Sequence, residues 1–193
     1  LRLELQQATL ATTAGTYAAS NKTTLSGTSQ WSDSTNSDPM GDIEAGKEAV
    51  RKLIGKRPNV VVMGAAVFAK LKTHSKVVDR IKYTGRDIAT NELLASLFGV
   101  DEVLVGDAVQ AADDGTFSDV WGKFVVVAYV PVASLAAQGT PSYGYTYQLQ
   151  SMPMAEEPYY DRNAKSWIYP VTDVCAPVIA GAESGYLISA AVA

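Results

Sequence analysis

The sequence predicts a mixed α+β fold, and two patterns in its 193 residues support this class. The middle of the chain alternates segments of helical periodicity with short runs of apolar, β-branched residues, which is typical of helices packed against buried strands. The last quarter alternates tyrosines with smaller or polar residues, which indicates half-exposed strands. Hydrophobic residues make up 47% of the chain and charged residues 19%, so we expect an ordinary globular core without metal or disulfide support.

The first part of the chain combines a helix with a loop. Leu1 and Leu5 recur at helical spacing, so residues 1 to about 17 are predicted to be helical. No capping residue precedes Leu1, and we expect this helix to begin upstream in a longer or processed chain. Residues 18–40 are rich in Ser, Thr, Asn, Asp and Gly, which is typical of a loop, and Trp31 is predicted to anchor that loop to the core.

The central part is predicted to alternate helices and strands. A helix over Pro39–Ile54 has Asp38 as the N-cap, whose side chain accepts early amide hydrogens, and Gly55 as the C-terminal stop. Its buried stripe is predicted to be Ile43, Val50, Leu53 and Ile54. Buried strands are predicted over 59–63, 102–105 and 124–129, and short helices over 66–71, 75–81 and 91–98, the last of them capped by Thr90 and ended by Gly99.

The last quarter is predicted to be an elongated sheet. Residues 143–149 form a half-exposed strand, and residues 166–175 form another with Pro170 at an edge or bulge. An apolar terminal strand over 186–192 is expected to return to the central part.

Charge is distributed unevenly along the chain, whose pI is about 5.0. Eleven basic and two acidic residues lie between Lys47 and Arg86, a formal charge of +9, whereas the remainder carries −13. Such a segment can attract a polyanion or a complementary surface on another copy of the chain, or it can be a set of solvated helix faces.

The residue inventory excludes several kinds of site. One Cys and one His cannot form an internal disulfide, a cysteine-rich zinc site or a multi-histidine metal centre. His74 has no catalytic motif around it and is predicted to have a surface or helix-junction role, and Cys175 is predicted to be a buried, inert thiol. The acidic pairs 113–114 and 156–157 are typical of a turn and a loop.

No glycine-rich phosphate loop, signal peptide or apolar membrane span is present in the sequence. The sequence therefore predicts a protein that is not an enzyme, has no catalytic, metal or cofactor-binding residues, acts on no small-molecule substrate and does not enter a membrane. Separated charge and abundant strand edges instead indicate a protein that assembles.

Several stretches resemble a known family. They are DPMGDIEAGKEAVRKLIGKRPNVVVMGAAVFAKLKTHSKVVDRIKYTG, then LLASLFGVDEVLVGDAV, then VWGKFVVVAYVP and PSYGYTYQLQ. This order of helix, buried strand, helices and strands resembles the major capsid proteins of tailed bacteriophages and prophages with the Hong Kong 97-like fold. LRLELQQATLATTAGTYA resembles the last turns of the long spine helix of that family, and WSDSTNSDP resembles the connector that follows.

The resemblance implies a mixed α/β axial domain and an elongated peripheral domain. Residues 1–40 would be the end of the spine helix and its connector, 41–138 the axial domain, 139–178 the peripheral-domain strands, and 179–193 a terminal strand returning to the axial domain. The N-terminal arm and extended loop of the family are missing from the sequence, so the chain resembles the C-terminal portion of such a protein.

The implied function is that of a structural subunit of a phage or prophage capsid, which self-assembles into an icosahedral shell around double-stranded DNA. Its partner would be itself, in capsomer hexamers and pentamers, with scaffold, portal and non-specifically packaged DNA as further partners. It would be located in the virion after assembly in the bacterial host cytoplasm. The candidate subunit-interface or lumen-facing residues are Arg51, Lys52, Lys56, Arg57, Lys70, Lys72 and Lys76.

Two other functions stay open from the sequence. One is the shell of an encapsulin-like protein nanocompartment, which shares the fold but holds a protein cargo. The other is a nucleic-acid-binding module that uses the basic segment 47–86, for which binding would weaken steeply with salt. An unrecognised hydrolase is the least supported, because no catalytic motif is found.

Overall fold

The computed structural model describes residues 2–82, 90–131, 140 and 142–193. Its α-helices are α1 (Arg2–Thr12), α2 (Pro39–Ile54), α3 (Ala65–Thr73), α4 (Ser75–Ile81) and α5 (Asn91–Phe98). Its strands are β1 (Lys22–Thr24), β2 (Val60–Gly64), β3 (Glu102–Gly106), β4 (Val109–Ala111), β5 (Phe117–Asp119), β6 (Val125–Ala128), β7 (Gly144–Gln148), β8 (Met154–Ala155), β9 (Tyr159–Asp161), β10 (Ser166–Ile168), β11 (Val171–Thr172), β12 (Cys175–Ile179) and β13 (Gly185–Ser189). Leu1, Arg86 and the predicted boundary at 138–139 lie outside the described residues.

A five-stranded sheet in the order β1-β13-β6-β2-β3 forms the centre of the structure. The β1–β13 and β2–β3 pairs are parallel, and β13–β6 and β6–β2 are antiparallel. All four residues of β6, VVVA, are buried, because this strand lies in the middle of the sheet with both faces covered. The mixed α+β class predicted from the sequence is confirmed.

Helices cover one face of this sheet. Val61 and Met63 on β2 point to the same face because strand side chains alternate, and both are fully buried. They pack in one cluster with residues of α2, α3, α4 and α5, including Val50, Leu71 and Leu94. The cluster forms the main core that the helical periodicity predicted.

Helix α1 and Tyr17 cover part of the opposite face. Val126 on β6 and Leu187 on β13 point to this side and pack against Ala11 and Tyr17. The Tyr17 hydroxyl donates to the carbonyl of Ala11 at 2.7 Å and is hydrogen-bonded to the hydroxyl of Tyr143. Burial raises the pKa of the Tyr143 phenol to about 12, so the phenols that connect α1 to the start of β7 stay neutral at physiological pH.

The predicted bounds of α2 are confirmed, but two of its details are wrong. Gly55 adopts the left-handed conformation, φ 69°, that ends the helix. The side chain of Asp38, which occupies the N-cap position, accepts no capping hydrogen bond. Leu53 is 49% exposed rather than buried, because it lies in the last turn, at the edge of the helix face that covers the sheet.

The predicted N-terminal helix and loop also differ from the structure. The helix ends at Thr12 rather than near residue 17, and a short 3-10 turn over Ala14–Thr16 follows it. The predicted loop contains β1, which pairs with β13. Trp31 is buried as predicted, with its ring nitrogen donating to Asp42 at 2.8 Å.

The last quarter is built from short strands, not from long ones. The strand predicted over 166–175 is split into β10 and β11 at Pro170, which lacks the amide hydrogen needed to continue a ladder. β7 pairs with β12, β9 with β10 and β8 with β11, each as a separate two-stranded sheet. Cys175 is half-buried rather than buried, because the β7–β12 sheet is covered only in part.

Candidate assembly surfaces

The seven basic residues predicted at an interface fall into two groups. The first basic group is Arg51, Lys52, Lys56 and Arg57, at and just after the C-terminal end of α2. The second basic group is Lys70, Lys72 and Lys76, on α3 and α4. All of these side chains are exposed except that of Lys76, which is half-buried.

The two groups lie at opposite ends of α2. The N-terminal end of this helix is next to the α3–α4 junction, since Ser37 Oγ is 2.9 Å from His74 Nε2 and Asp38 Oδ1 is 3.7 Å from Lys76 Nζ. A helix of 16 residues is about 24 Å long at 1.5 Å per residue. The basic residues therefore do not form one continuous patch, although they are close in sequence.

The groups also differ in how far their charges are already paired. Lys76 faces Asp38, and the Lys72 ammonium lies 4.2 Å above the centre of the Phe68 ring. Arg51 holds Glu48 with two hydrogen bonds of 2.7 and 2.5 Å, which lower the pKa of that carboxyl. Both side chains are exposed, so this pair contributes little to stability.

Lys52, Lys56 and Arg57 form no hydrogen bond or ion pair with any residue that the structure describes. With the exposed side chain of Leu53, they make the C-terminal end of α2 a basic surface that also exposes an apolar side chain.

Lys47 belongs to the basic segment by sequence but is buried within the fold. Its ammonium donates to Glu44 Oε2 at 2.8 Å and to the carbonyl of Phe98 at 2.7 Å. Phe98 is the last residue of α5, whose C-terminal carbonyls lack partners in the helix and favour a cation. Lys47 therefore joins α2 to α5 and is not available to a partner.

His74 lies at the junction of α3 and α4, and its side chain is 1% exposed. The Lys76 amide donates to Nδ1 at 3.3 Å, so the proton of the neutral ring is on Nε2 and is donated to Ser37 Oγ. Ser37 in turn donates to the carbonyl of Asp33 at 2.7 Å. Burial, with a smaller contribution from Lys76, lowers the pKa of His74. The ring joins two helices to the preceding loop, and the Ser37 hydroxyl that it contacts is itself buried, 2% exposed.

The strand pair β4–β5 forms an exposed ribbon, residues 109–119. Val109 pairs with Asp119 and Ala111 with Phe117, so these four side chains share one face. Phe117 is 75% exposed, and Val109 and Ala111 on the same face are exposed as well. A turn closes the ribbon at Gly115, where φ is 82°, and Asp114 accepts hydrogen bonds from Thr116.

A second exposed apolar surface lies on the short strands of the last quarter. We call these exposed residues the aromatic surface; they are Tyr159, Tyr160, Trp167, Tyr169 and Val171. Tyr160 and Trp167 share one face of the β9–β10 pair, and Tyr159 lies on the other face. Trp167 is 60% exposed and meets Tyr160 edge to face, with ring centres 5.7 Å apart. Large exposed apolar patches are typical of interaction surfaces. The sequence alone had not indicated such a surface in this segment.

A groove of about 500 Å³ lies between α1, the edge strand β3 and the β7–β12 sheet. Its walls are mostly apolar and include Leu10, Val62, Leu104 and Val178. Leu104, on the strand predicted to be buried, is 43% exposed, because β3 is at the edge of the sheet and α1 does not reach it.

Nothing in the described residues points to catalysis or metal binding. No group of three or more His, Cys, Asp or Glu side chains is arranged there to hold a metal ion. No buried side-chain nitrogen or oxygen in the described ranges lacks a hydrogen-bond partner. The described helices also include none that is long and apolar enough to cross a bilayer.

The chain is similar to several known proteins over most of its length. A family model described as phage major capsid protein E matches residues 9–167. The major capsid protein of Burkholderia phage BcepMu is 41% identical over 192 residues, which is 98% of this chain and 62% of that protein. The major capsid protein of Pseudomonas phage JBD67 is 30% identical over 138 residues, 68% of this chain and 43% of that protein.

Two solved structures have a fold similar to that of this chain. A phage-related protein of Bordetella bronchiseptica RB50 superimposes with a TM-score of 0.91 at 38% identity, over 97% of this chain and 62% of that one. A structure described as a prophage capsid protein of E. coli CFT073 has a TM-score of 0.56 at 17% identity, again over 97% and 62% of the two chains, and supports the fold alone. The chain thus spans about three fifths of the length of these relatives.

The chain belongs to the phage major capsid protein E family, since the family model covers most of it.

Proposed function

We propose that the chain is the shell-forming part of a phage or prophage capsid subunit, which self-assembles into an icosahedral shell around double-stranded DNA. The observation that carries this proposal is the family match over residues 9–167. The exposed apolar side chains of the ribbon and the aromatic surface support it, because such patches are stabilised when a neighbouring subunit covers them. In a shell, many weak contacts of this kind become stable together.

We further propose that the fold is Hong Kong 97-like. Residues 41–138 would form the axial domain, 1–40 and 139–178 the peripheral domain, and 179–193 the terminal strand of the axial domain. The position of β13 inside the sheet that also contains β2 and β6 supports the last of these assignments.

The proposed partners are copies of the same chain in hexamers and pentamers, with scaffold, portal and DNA as further ones. The protein would be located in the virion, after assembly in the host cytoplasm. The curated relatives are phage proteins, which favours a genome over the protein cargo of an encapsulin-like shell. The separation of the two basic groups disfavours a nucleic-acid-binding module that reads one continuous basic stripe.

The first test is the particle formed by the complete gene product that contains this chain. Light scattering and negative-stain electron microscopy are expected to show closed shells. A stable monomer or dimer of the complete protein, also in the presence of the other structural proteins of its phage, would contradict the proposal. The contents of purified shells then distinguish the two alternatives: nucleic acid indicates a capsid, and a protein cargo indicates an encapsulin-like compartment.

The second basic group provides a mutational prediction. We expect the combined Lys70→Glu and Lys72→Glu variant to reduce the yield of shells, because two exposed positive charges become negative on a surface proposed to contact a neighbour. The fold of the unassembled subunit should be unchanged, since neither side chain is buried. Sedimentation measures the yield and circular dichroism the fold; a normal yield of shells would remove this group from the interface.

A further inference from the structure

We propose that the ribbon of one subunit docks on the first basic group of a neighbouring copy of the chain. This inference rests on the proposed function, because it names the surfaces through which two shell subunits meet. It is carried by the shape and charge of the two surfaces and by their positions in the fold.

The ribbon has the features of a segment that contacts another protein surface. One of its faces presents Val109, Ala111 and Phe117 to solvent, although an isolated two-stranded hairpin in water is marginally stable. Its turn and second strand add Asp113, Asp114 and Asp119, and none of these carboxylates forms an ion pair with any described residue. The hydrogen bonds from Thr116 lower the pKa of Asp114, which keeps this carboxyl ionised.

The C-terminal end of α2 is complementary to the ribbon in both charge and polarity. Lys52, Lys56 and Arg57 are exposed and form no ion pair within 4 Å among the described residues, although Lys52 and Arg57 help to lower the pKa of Glu48. The exposed Leu53 follows Lys52 in the last turn of the same helix. Docking would bring the ribbon carboxylates to these cations and the ring of Phe117 to Leu53. Complementary charge at the rim with an apolar contact at the centre is the usual composition of a protein interface.

The two surfaces lie at opposite ends of strand β2. The ribbon leaves the sheet after Gly106, which pairs with Gly64 at the end of β2. The first basic group precedes the start of β2. There the backbone amide of Asn59 donates a hydrogen bond to the carbonyl of Ala128 at the end of β6. The five residues of β2 separate the two ends by about 16 Å at 3.3 Å per residue. The partner of the ribbon is therefore a second copy.

A contact between different surfaces of two copies is head-to-tail, and such contacts generate closed rings when the rotation between copies closes. Rings are what the proposed capsomers require. In the second basic group Lys76 faces Asp38 and Lys72 lies over Phe68, which leaves Lys70 as its one cation without a described side-chain partner. The first basic group has three cations that form no described ion pair, beside the Arg51–Glu48 pair, and is therefore the better partner for the ribbon.

A charge-exchange experiment in the complete gene product tests this pairing. The ribbon variant Asp113→Lys with Asp114→Lys, and the helix variant Lys52→Glu with Lys56→Glu, are each expected to lower the yield of shells about tenfold or more, because like charges then face each other across a contact repeated many times in the shell. The variant that combines all four substitutions restores opposite charges and is expected to recover most of the yield.

The matched control combines the same ribbon variant with Lys70→Glu and Lys72→Glu. The number of reversed charges is equal, but we expect no recovery, because the second basic group is not the partner. Equal recovery in both combinations, or normal shells from the ribbon variant alone, would overturn the inference. Absence of shells from the unmodified protein would instead contradict the proposed function.

Cross-linking of unmodified shells keeps the test independent of folding in the variants. A carbodiimide reagent joins a carboxylate to an amine that is in contact with it. We expect cross-linked dimers whose linked peptides, identified by mass spectrometry, connect Asp113 or Asp114 to Lys52 or Lys56. Dimers in which the ribbon carboxylates are linked only to other lysines would overturn the inference.

Discussion

His74 illustrates how a single residue organises the part of the fold that lies next to the second basic group. It is the only histidine of the chain, and its two ring nitrogens connect the start of α4 to Ser37 in the loop before α2. Charged groups around it have opposing effects on its pKa, since Lys76 lowers it whereas Asp33 and Asp38 raise it, but burial has the largest effect. The folded chain therefore binds a proton at His74 less readily than the unfolded chain does.

A pH dependence of stability follows from this lowered pKa. As the pH falls below about 6.5, the ordinary pKa of histidine, the unfolded chain takes up a proton that the folded chain does not, so the free energy of unfolding decreases. The slope is at most about 1.4 kcal/mol per pH unit for one group. Urea denaturation of the unassembled subunit between pH 7.5 and 5.5 measures it. Persistence of the same slope in His74→Gln would show that another group is responsible.

Sequence reasoning at the residue scale succeeded where local chemistry decides the structure. Thr90 caps α5, and Gly55 and Gly99 end their helices in the left-handed conformation, because caps depend on a few neighbouring residues. It failed for the cap at Asp38, whose side chain accepts no capping hydrogen bond. It also failed for Leu53 and Cys175, whose exposure depends on how far a distant element extends over them.

At the scale of elements, the root of the ribbon is fixed by a close approach of two backbone segments. A Cβ atom on Gly64, the last residue of β2, would lie 2.0 Å from the carbonyl oxygen of Gly122. Gly64 has an ordinary φ of −70°, so a glycine is required there by space and not by conformation. The end of β2 and the segment that follows the ribbon are thereby held in direct contact.

Gly64→Ala is expected to destabilise the subunit by about 3 kcal/mol, because a methyl group must displace backbone atoms on one side. Gly15→Ala is the matched control, since a Cβ at Gly15 has no neighbour within 4 Å and should change stability by less than about 0.5 kcal/mol. Chemical denaturation of the two variants gives the comparison. Similar stability for both would show that the contact relaxes without cost.

Elements were predictable to the extent that their signal is local. The helices α2 and α5 and the strands β2 and β6 have clear apolar periodicity or continuous β-branched runs, and the sequence placed all four. β1 escaped prediction because its residues, KTT, have no apolar pattern, and its pairing partner lies at the other end of the chain. The division at Pro170 was not predicted, because the sequence was interpreted as one strand over 166–175 with the proline at an edge or bulge.

At the scale of the whole molecule, the aromatic surface exposes several large apolar side chains in the last quarter. We expect Trp167→Ser with Tyr169→Ser to lower the yield of shells, because burying an aromatic side chain stabilises a contact by about 1.5–3 kcal/mol. Trp167→Phe, which keeps an apolar ring, is the control. Sedimentation of the complete gene product gives the yield, and shells at the normal yield from the double serine variant would place this surface outside the subunit contacts.

The distribution of charge over the molecule could be predicted only in part. The sequence gives the number of basic residues in the segment 47–86, and their clustering indicated an interaction surface. The orientation of α2 on the sheet decides two further points. It divides the basic residues between the two ends of α2, and it buries Lys47 against α5. Sequence spacing alone contains no information on that orientation.

The position of β13 has a consequence for synthesis on the ribosome. This strand lies between β1 and β6, yet it is translated after every other strand of the sheet. Until it emerges, β1 lacks the strand that it pairs with and β6 has an open edge, so a nascent chain cannot complete the sheet. The ribbon and the first basic group, which we propose as contact surfaces, are therefore expected to reach their final arrangement only after β13 has left the ribosome.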